Sequence, residues 1–128
     1  MKKIIQTTEA PQAIGTYSQA VKVGTQVYLS GQIALNPQTM QMVNDSIEAE
    51  IQQMFENFSA VAKAAGGSLA DMVKVTIYVT DMDYFPQVNA AMSQYFQAPY
   101  PARAVIGVAA LPKQARVEID GVMQLPNA

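Results

Sequence analysis

Hydrophobic positions change period several times along the chain, and each change marks an expected element. Gln19–Val23 and Gln26–Ser30 alternate on either side of Gly24-Thr25, which is the spacing of a two-residue β-hairpin. Asn36-Pro37-Gln38-Thr39 reads as a loop, and Asp45, followed three residues later by Glu48, predicts a helix start with Asp45 as its cap. Ile47, Ile51, Met54, Phe55, Phe58, Val61, Ala62 and Ala65 then recur every three or four residues, one apolar helical stripe that Gly66-Gly67 brings to an end.

Over 73–80 the period drops to two, with Val73, Val75, Ile77 and Val79 on one face of a strand and Lys74, Thr76, Tyr78 and Thr80 on the other. The apolar face is expected against the helix, which leaves a half-polar face suited to a subunit interface. Asp81-Met82-Asp83 offers caps for a second helix striped by Phe85, Val88, Met92 and Phe96, with Pro86 tolerated in its first turn and Pro99-Tyr100-Pro101 stopping it. Strands at 103–109 and 116–123, separated by Leu111-Pro112-Lys113, close the chain. The order β-β-α-β-α-β-β predicts an α+β fold, a single domain over residues 1–128 with one sheet and both helices on one face.

Composition narrows the chemistry. The 128 residues include no Cys, His or Trp, which excludes disulfides, thiol nucleophiles, iron–sulfur clusters, ordinary zinc sites and the Ser–His–Asp triad. A carboxylate-only Mg²⁺ or Ca²⁺ site stays open, but no acidic loop motif suggests one, so neither metal nor cofactor is expected. Acid–base work falls to a carboxylate, Tyr, Lys or water. The net charge is −2, with the basic residues scattered, which predicts no nucleic-acid partner. Met1-Lys2-Lys3-Ile4-Ile5-Gln6-Thr7 turns polar after two apolar residues, and no run approaches a bilayer span, so the expectation is a cytoplasmic protein with no membrane partner. Charged residues are only 14% of the chain, against a usual ~25%, which implies apolar surface covered by further copies.

Two charged residues stand out. Arg103 lies in the otherwise uncharged run Pro101-Ala102-Arg103-Ala104-Val105-Ile106. Its guanidinium cannot shed its proton and presents a flat fork, so it requires a structural ion pair, exposure to solvent, or an anionic ligand. Glu118 shares a strand face with Arg116 and Asp120, either as part of a solvated face or turned into a cleft to hold a water. Tyr17 and the pair Ser30-Gly31 are polar donors beside glycines that let a ligand approach the backbone, and Asn89 is a helical amide.

Taken in order, Ala10-Pro11-Gln12-Ala13-Ile14-Gly15-Thr16-Tyr17-Ser18-Gln19-Ala20, Leu29-Ser30-Gly31-Gln32-Ile33, Val88-Asn89, Pro101-Ala102-Arg103, Leu111-Pro112 and Val117-Glu118-Ile119 resemble the successive signatures of the RidA (YjgF-like) reactive-intermediate deaminase family. The resemblance spans essentially the whole chain. It implies a chorismate-mutase-like fold, a homotrimer with ligand clefts between subunits, and cofactor-free hydrolysis of 2-imino acids and their enamine tautomers to 2-oxo acids and ammonia. Carried over by motif, Arg103 would clamp the substrate carboxylate and Glu118 would position or activate water, while Tyr17, Ser30, Gly31 and Asn89 would line the cleft.

Three positions depart from the family pattern: Thr16 stands where many relatives have Pro, Val105 where many have Cys, and Met92 where an aromatic is frequent. Val105 is expected to border the cleft without supplying a thiol. Hydrolysis needs neither metal nor strong base, because a protonated imine is already electrophilic and the site has chiefly to hold it and deliver water. A 2-oxo-acid-binding regulatory or interaction protein with the same cleft and little turnover is the alternative reading, since a fold does not by itself carry an activity.

Overall fold

A computed structural model describes residues 1–126, which form six strands and two α-helices in one α+β unit. Asn127 and Ala128, the end of the expected 1–128 domain, lie outside the described residues. The first strand, β1 (Lys2–Ile5), adds one element to the predicted order. Four residues are too short a pattern to register as periodicity, but they pair antiparallel with β2 (Ala20–Val23), Ile4 opposite Val21. The expected hairpin joins β2 to β3 (Gln26–Gln32) through Gly24, whose φ of +60° is open to glycine without strain.

The first helix, α1 (Ile47–Ala64), begins one residue later than predicted. Ser46 rather than Asp45 is its cap, and the Ser46 hydroxyl accepts the Ala49 N–H at 3.1 Å. A reciprocal capping box forms instead at Ser68 and Asp71, ahead of β4 (Met72–Val79). The end of α1 is as expected. Gly66, at φ +97°, directs its N–H to the Lys63 carbonyl and the Gly67 N–H to that of Ala62, the bond pattern of a Schellman stop.

In β4 the expected alternation fails at one residue. Its pairing with β6 (Val117–Gln124) slips between Met72 and Lys74, so Met72 enters the core and Val73 is turned out, 49% exposed. Beyond the slip Val75, Ile77 and Val79 are fully buried, as predicted. Asp81 caps a short 3₁₀ turn at 82–84 rather than α2 (Phe85–Tyr95), which follows directly with Pro86 in its first turn. The last two strands are β5 (Ala102–Gly107) and β6, and the sheet order is β1-β2-β3-β6-β4-β5, with only β4 and β5 parallel.

Both helices contribute to one core. Phe55, Phe58 and Val61 of α1 and Val88 and Met92 of α2 pack with Val27, Val75, Ile77, Ile119 and Met123 of the sheet. The other sheet face carries Ile4, Tyr28 and Ile106, each more than 40% exposed, beside the half-buried Thr76, Tyr78 and Asp120. No described helix is long and apolar enough to cross a membrane.

Candidate functional site

The first half of the site begins with a buried amide. Gln19 accepts the Thr7 N–H at 2.7 Å and donates to the carbonyls of Thr7, at 3.0 Å, and Pro11, at 2.7 Å, which ties segment 7–11 to the start of β2. This anchors one base of the loop that presents Tyr17. On the neighbouring strand, β3 pairs Leu29 with Gly121 but Gln32 with Ile119, so one extra residue is accommodated at Ser30-Gly31. A bulge of this kind re-aims side chains beside a site. Ser30 Oγ donates to the Ser18 carbonyl at 2.5 Å, and the Glu118 carboxylate lies against the Gly31 α-carbon.

A cavity of about 350 Å³ is lined there by Tyr17, Ser30, Gly31 and Glu118, with Ile33 and Lys113 among the rim residues. Burial, and secondarily the charge of Asp120, pushes the Glu118 carboxyl above its ordinary value. Asp120 is held in turn by the Tyr78 hydroxyl, which donates to it at 2.9 Å.

Two further polar side chains support this half from within α1. Glu50 is fully buried, and its carboxylate accepts both the backbone N–H and the Nε–H of Arg116, each at 2.7 Å, just ahead of β6. Arg116 is therefore drawn to the helix side and does not share the open face with Glu118 and Asp120. The hydrogen bonds to Glu50 raise the Arg116 guanidinium above its ordinary value, against the opposing effect of burial. Asn57, 1% exposed, donates to the carbonyls of Ile33 and Leu35 at 2.9 and 2.8 Å and so fixes the strand exit beside the cavity. Gln19, Glu50 and Asn57 were not among the predicted site residues. The signal for the two helical ones is legible: Glu50 and Asn57 each sit three residues from an apolar stripe position, Ile47 and Met54, and so point into the core.

The second half surrounds Arg103 on β5. Its Nη1 donates to Asn89 Oδ1 at 2.8 Å and lies 3.6 Å from the Met92 sulfur, while the guanidinium sits 5.4 Å from the centre of the Phe85 ring. Among the described residues it has no carboxylate partner; the ion pair is that of Arg116 with Glu50. Arg103, Asn89, Met92 and Tyr100 line a cavity of about 430 Å³. Val105 shares the Arg103 face, opposite Ile77, and packs against the core cluster without lining either cavity.

The two halves do not meet within one chain. Arg103 is registered beside Val75, a core residue on the helix side, whereas Glu118 is registered beside Tyr78 on the uncovered face. Tyr17, Ser30, Gly31 and Glu118 thus form one group and Arg103 and Asn89 another. Among the described residues no three acidic side chains converge as a metal cluster would require.

Among the described residues the one-sheet α+β chain thus carries an arginine without a carboxylate partner on one sheet face and a half-buried carboxylate on the other. Comparison with known proteins agrees with the resemblance noted in the sequence. Residues 7–124 match the family model described as Endoribonuclease L-PSP, and the chain belongs to this family, that of the RidA (YjgF-like) proteins. A relative from Dermatophagoides farinae named 2-iminobutanoate/2-iminopropanoate deaminase is 52% identical over 122 residues, 95% of each chain. A mouse protein of the same name is 44% identical, covering 95% of this chain and 90% of its own. The crystal structure of RidA from the Antarctic bacterium Psychrobacter sp. PAMC 21119 superposes with a TM-score of 0.93 at 47% identity, over 96% of this chain and 99% of that one.

Proposed function

We propose that the protein is a cofactor-free deaminase that hydrolyses reactive 2-imino acids and their enamine tautomers to 2-oxo acids and ammonia, as a cytoplasmic homotrimer with its clefts between subunits. The observation that carries this reading is Arg103, a permanently charged fork with uncharged contacts alone in a cavity of a protein from this family. It takes the substrate carboxylate in bidentate fashion. Glu118, from the neighbouring copy, holds the water and accepts its proton as the oxygen attacks the protonated imine carbon. The C–O bond forms as the C=N π pair moves to nitrogen. Protonated Glu118 then returns its proton to the amine nitrogen of the neutral carbinolamine, and ammonia leaves as the C=O double bond forms and the hydroxyl proton passes back to the Glu118 carboxylate. Tyr17, Ser30, Gly31 and Asn89 line the cleft, with Val105 behind the arginine.

The test couples an amino-acid oxidase, which generates 2-imino acids, to the purified protein and follows imine loss at neutral pH. Wild type accelerates the loss and Arg103→Ala does not. Equal acceleration by both would move the site away from Arg103. No acceleration with any imine, despite calorimetric binding of a 2-oxo acid, would overturn the enzyme reading.

A further inference from the structure

Phe85, Asn89 and Met92 are spaced four and three residues apart, so they share one face of α2, and all three touch the Arg103 guanidinium. The contacts are uncharged and one-sided. Both polar contacts fall on Nη1, and among the described residues neither Nε nor Nη2 makes a hydrogen bond or an ion pair. An arginine on an exposed edge strand ordinarily samples many rotamers or pairs with a carboxylate. Here a ring face, an amide oxygen and a thioether define its plane while leaving its charge uncompensated.

We infer that Phe85 and Met92 are positioning residues for substrate carboxylate recognition: they lock the plane of the Arg103 guanidinium so that Nε and Nη2 stand open as a preset fork. Phe85 supplies the flat face against which the guanidinium stacks, and the Met92 sulfur, on a side chain 5% exposed, receives the rim of Nη1. A carboxylate in either place would hold the arginine equally well but would neutralise the charge the ligand needs. The gain is one of preorganisation, since the rotamer freedom is lost on folding rather than on binding. This inference rests on the deaminase reading for the identity of the ligand, but not for the cradle itself.

The chain's two arginines make the cradle directly observable. In the full-length protein labelled with ¹⁵N-arginine, NMR reads the rotation that exchanges Nη1 with Nη2, and Arg116, held by Glu50, is the internal control. Slow rotation is expected for both arginines in wild type. Phe85→Leu and Met92→Leu, which keep the apolar bulk, speed the rotation of Arg103 alone. In the imine assay the same variants raise KM roughly five-fold with kcat changed by less than about two-fold, and Phe85→Tyr restores wild-type KM. Wild-type Arg103 rotating as fast as free arginine would overturn the inference. So would a Phe85→Leu variant that melts lower and loses kcat with KM unmoved, the mark of a merely structural role. Slow, Phe85-dependent rotation in a protein that turns over no imine would uphold the cradle and sink the deaminase reading instead.

Discussion

The Glu118 carboxylate rests on the backbone of Gly31, so closely that a β-carbon at residue 31 would stand 2.9 Å from the Glu118 carboxyl carbon. Gly31 does not need glycine for its φ, because its backbone is outside the left-handed region. What it supplies is room. Gly31→Ala is therefore expected to fold, since the obstructing atoms are the far end of a flexible side chain, but to push Glu118 off its position. A displacement on the order of 1 Å costs roughly 100-fold in turnover. Steady-state kinetics beside a melting curve checks this: kcat should fall by about that factor while the melting temperature moves by a few degrees at most.

The titration of Glu118 gives a second prediction, with its sign set by burial. Desolvation, then the Asp120 charge, raises the carboxyl, so the folded protein binds this proton more tightly than the unfolded chain does. The ionised form is penalised only in the folded state. Stability is consequently lost as pH rises from the unfolded pKa through the folded one, and it is unaffected by this group below both. Glu118→Gln should melt higher than wild type at neutral pH, with the advantage vanishing in acid. Catalysis by ionised Glu118 runs the other way, failing as pH drops through the raised pKa. Asp120→Asn should move that acid limb of the pH–rate profile to lower pH, though not the whole way, because burial is the larger cause. An unmoved limb would show that Asp120 does not act on the base.

Arg103→Lys retains the positive charge and loses the fork. Lysine can neither stack on Phe85 as a flat group nor donate two parallel bonds to one carboxylate. We expect kcat/KM for 2-imino acids to fall at least ~10-fold, since each charge-assisted hydrogen bond is worth about 1.5–3 kcal/mol. Wild-type-like kcat/KM in that variant would mean that charge alone suffices.

How much of this was legible in the chain depends on the kind of signal. The α1 stripe and the alternation beyond residue 74 are repeated patterns, and the structure reproduces them because each repeat adds to one buried face. What escaped was single-residue geometry. The slip that exposes Val73 is a property of the β4–β6 pair rather than of β4, so no periodicity within β4 can announce it. The start of α1 moved from Asp45 to Ser46 because two adjacent residues are both good caps. Arg103 was visible as a lone charge in an uncharged run and Glu118 as one of three charges on a strand face, but that the two lie on opposite sheet faces follows from their registers against β4, a relation between three strands. The supporting Glu50 and Asn57 could have been found by asking why polar residues occupy helix positions that point inward.

Glu50 and Arg116 carry a stability prediction that is independent of catalysis. The Glu50 side chain is 1% exposed and that of Arg116 32%, so the two variants are not equivalent. Arg116→Ala strands a buried carboxylate with one backbone N–H left, whereas Glu50→Gln keeps an acceptor and removes the charge. The first should cost about 3 kcal/mol, the lower end for breaking a buried pair because half of this one reaches solvent, and the second less. At fixed protein concentration that is a fall of roughly 10 °C in melting temperature for Arg116→Ala. Equal melting of the two variants would show that the carboxylate finds another partner.

The registers of Arg103 beside Val75 and Glu118 beside Tyr78 lead to a prediction about assembly. If each cleft joins the arginine of one copy to the carboxylate of its neighbour, Arg103→Ala and Glu118→Gln damage different sides of the same cleft. Each variant alone forms only broken sites. Co-expressed in equal amounts and assayed as the whole oligomer population, they should regain roughly a quarter of the wild-type sites when the copies mix at random, because a cleft is intact whenever a copy with Arg103 precedes a neighbour with Glu118 in a closed ring. A site built within one chain would give no recovery at any mixing ratio, since every chain then carries one lesion. Recovery thus separates a shared cleft from a self-contained one without any structure of the assembly, and its size reports how freely the copies mix.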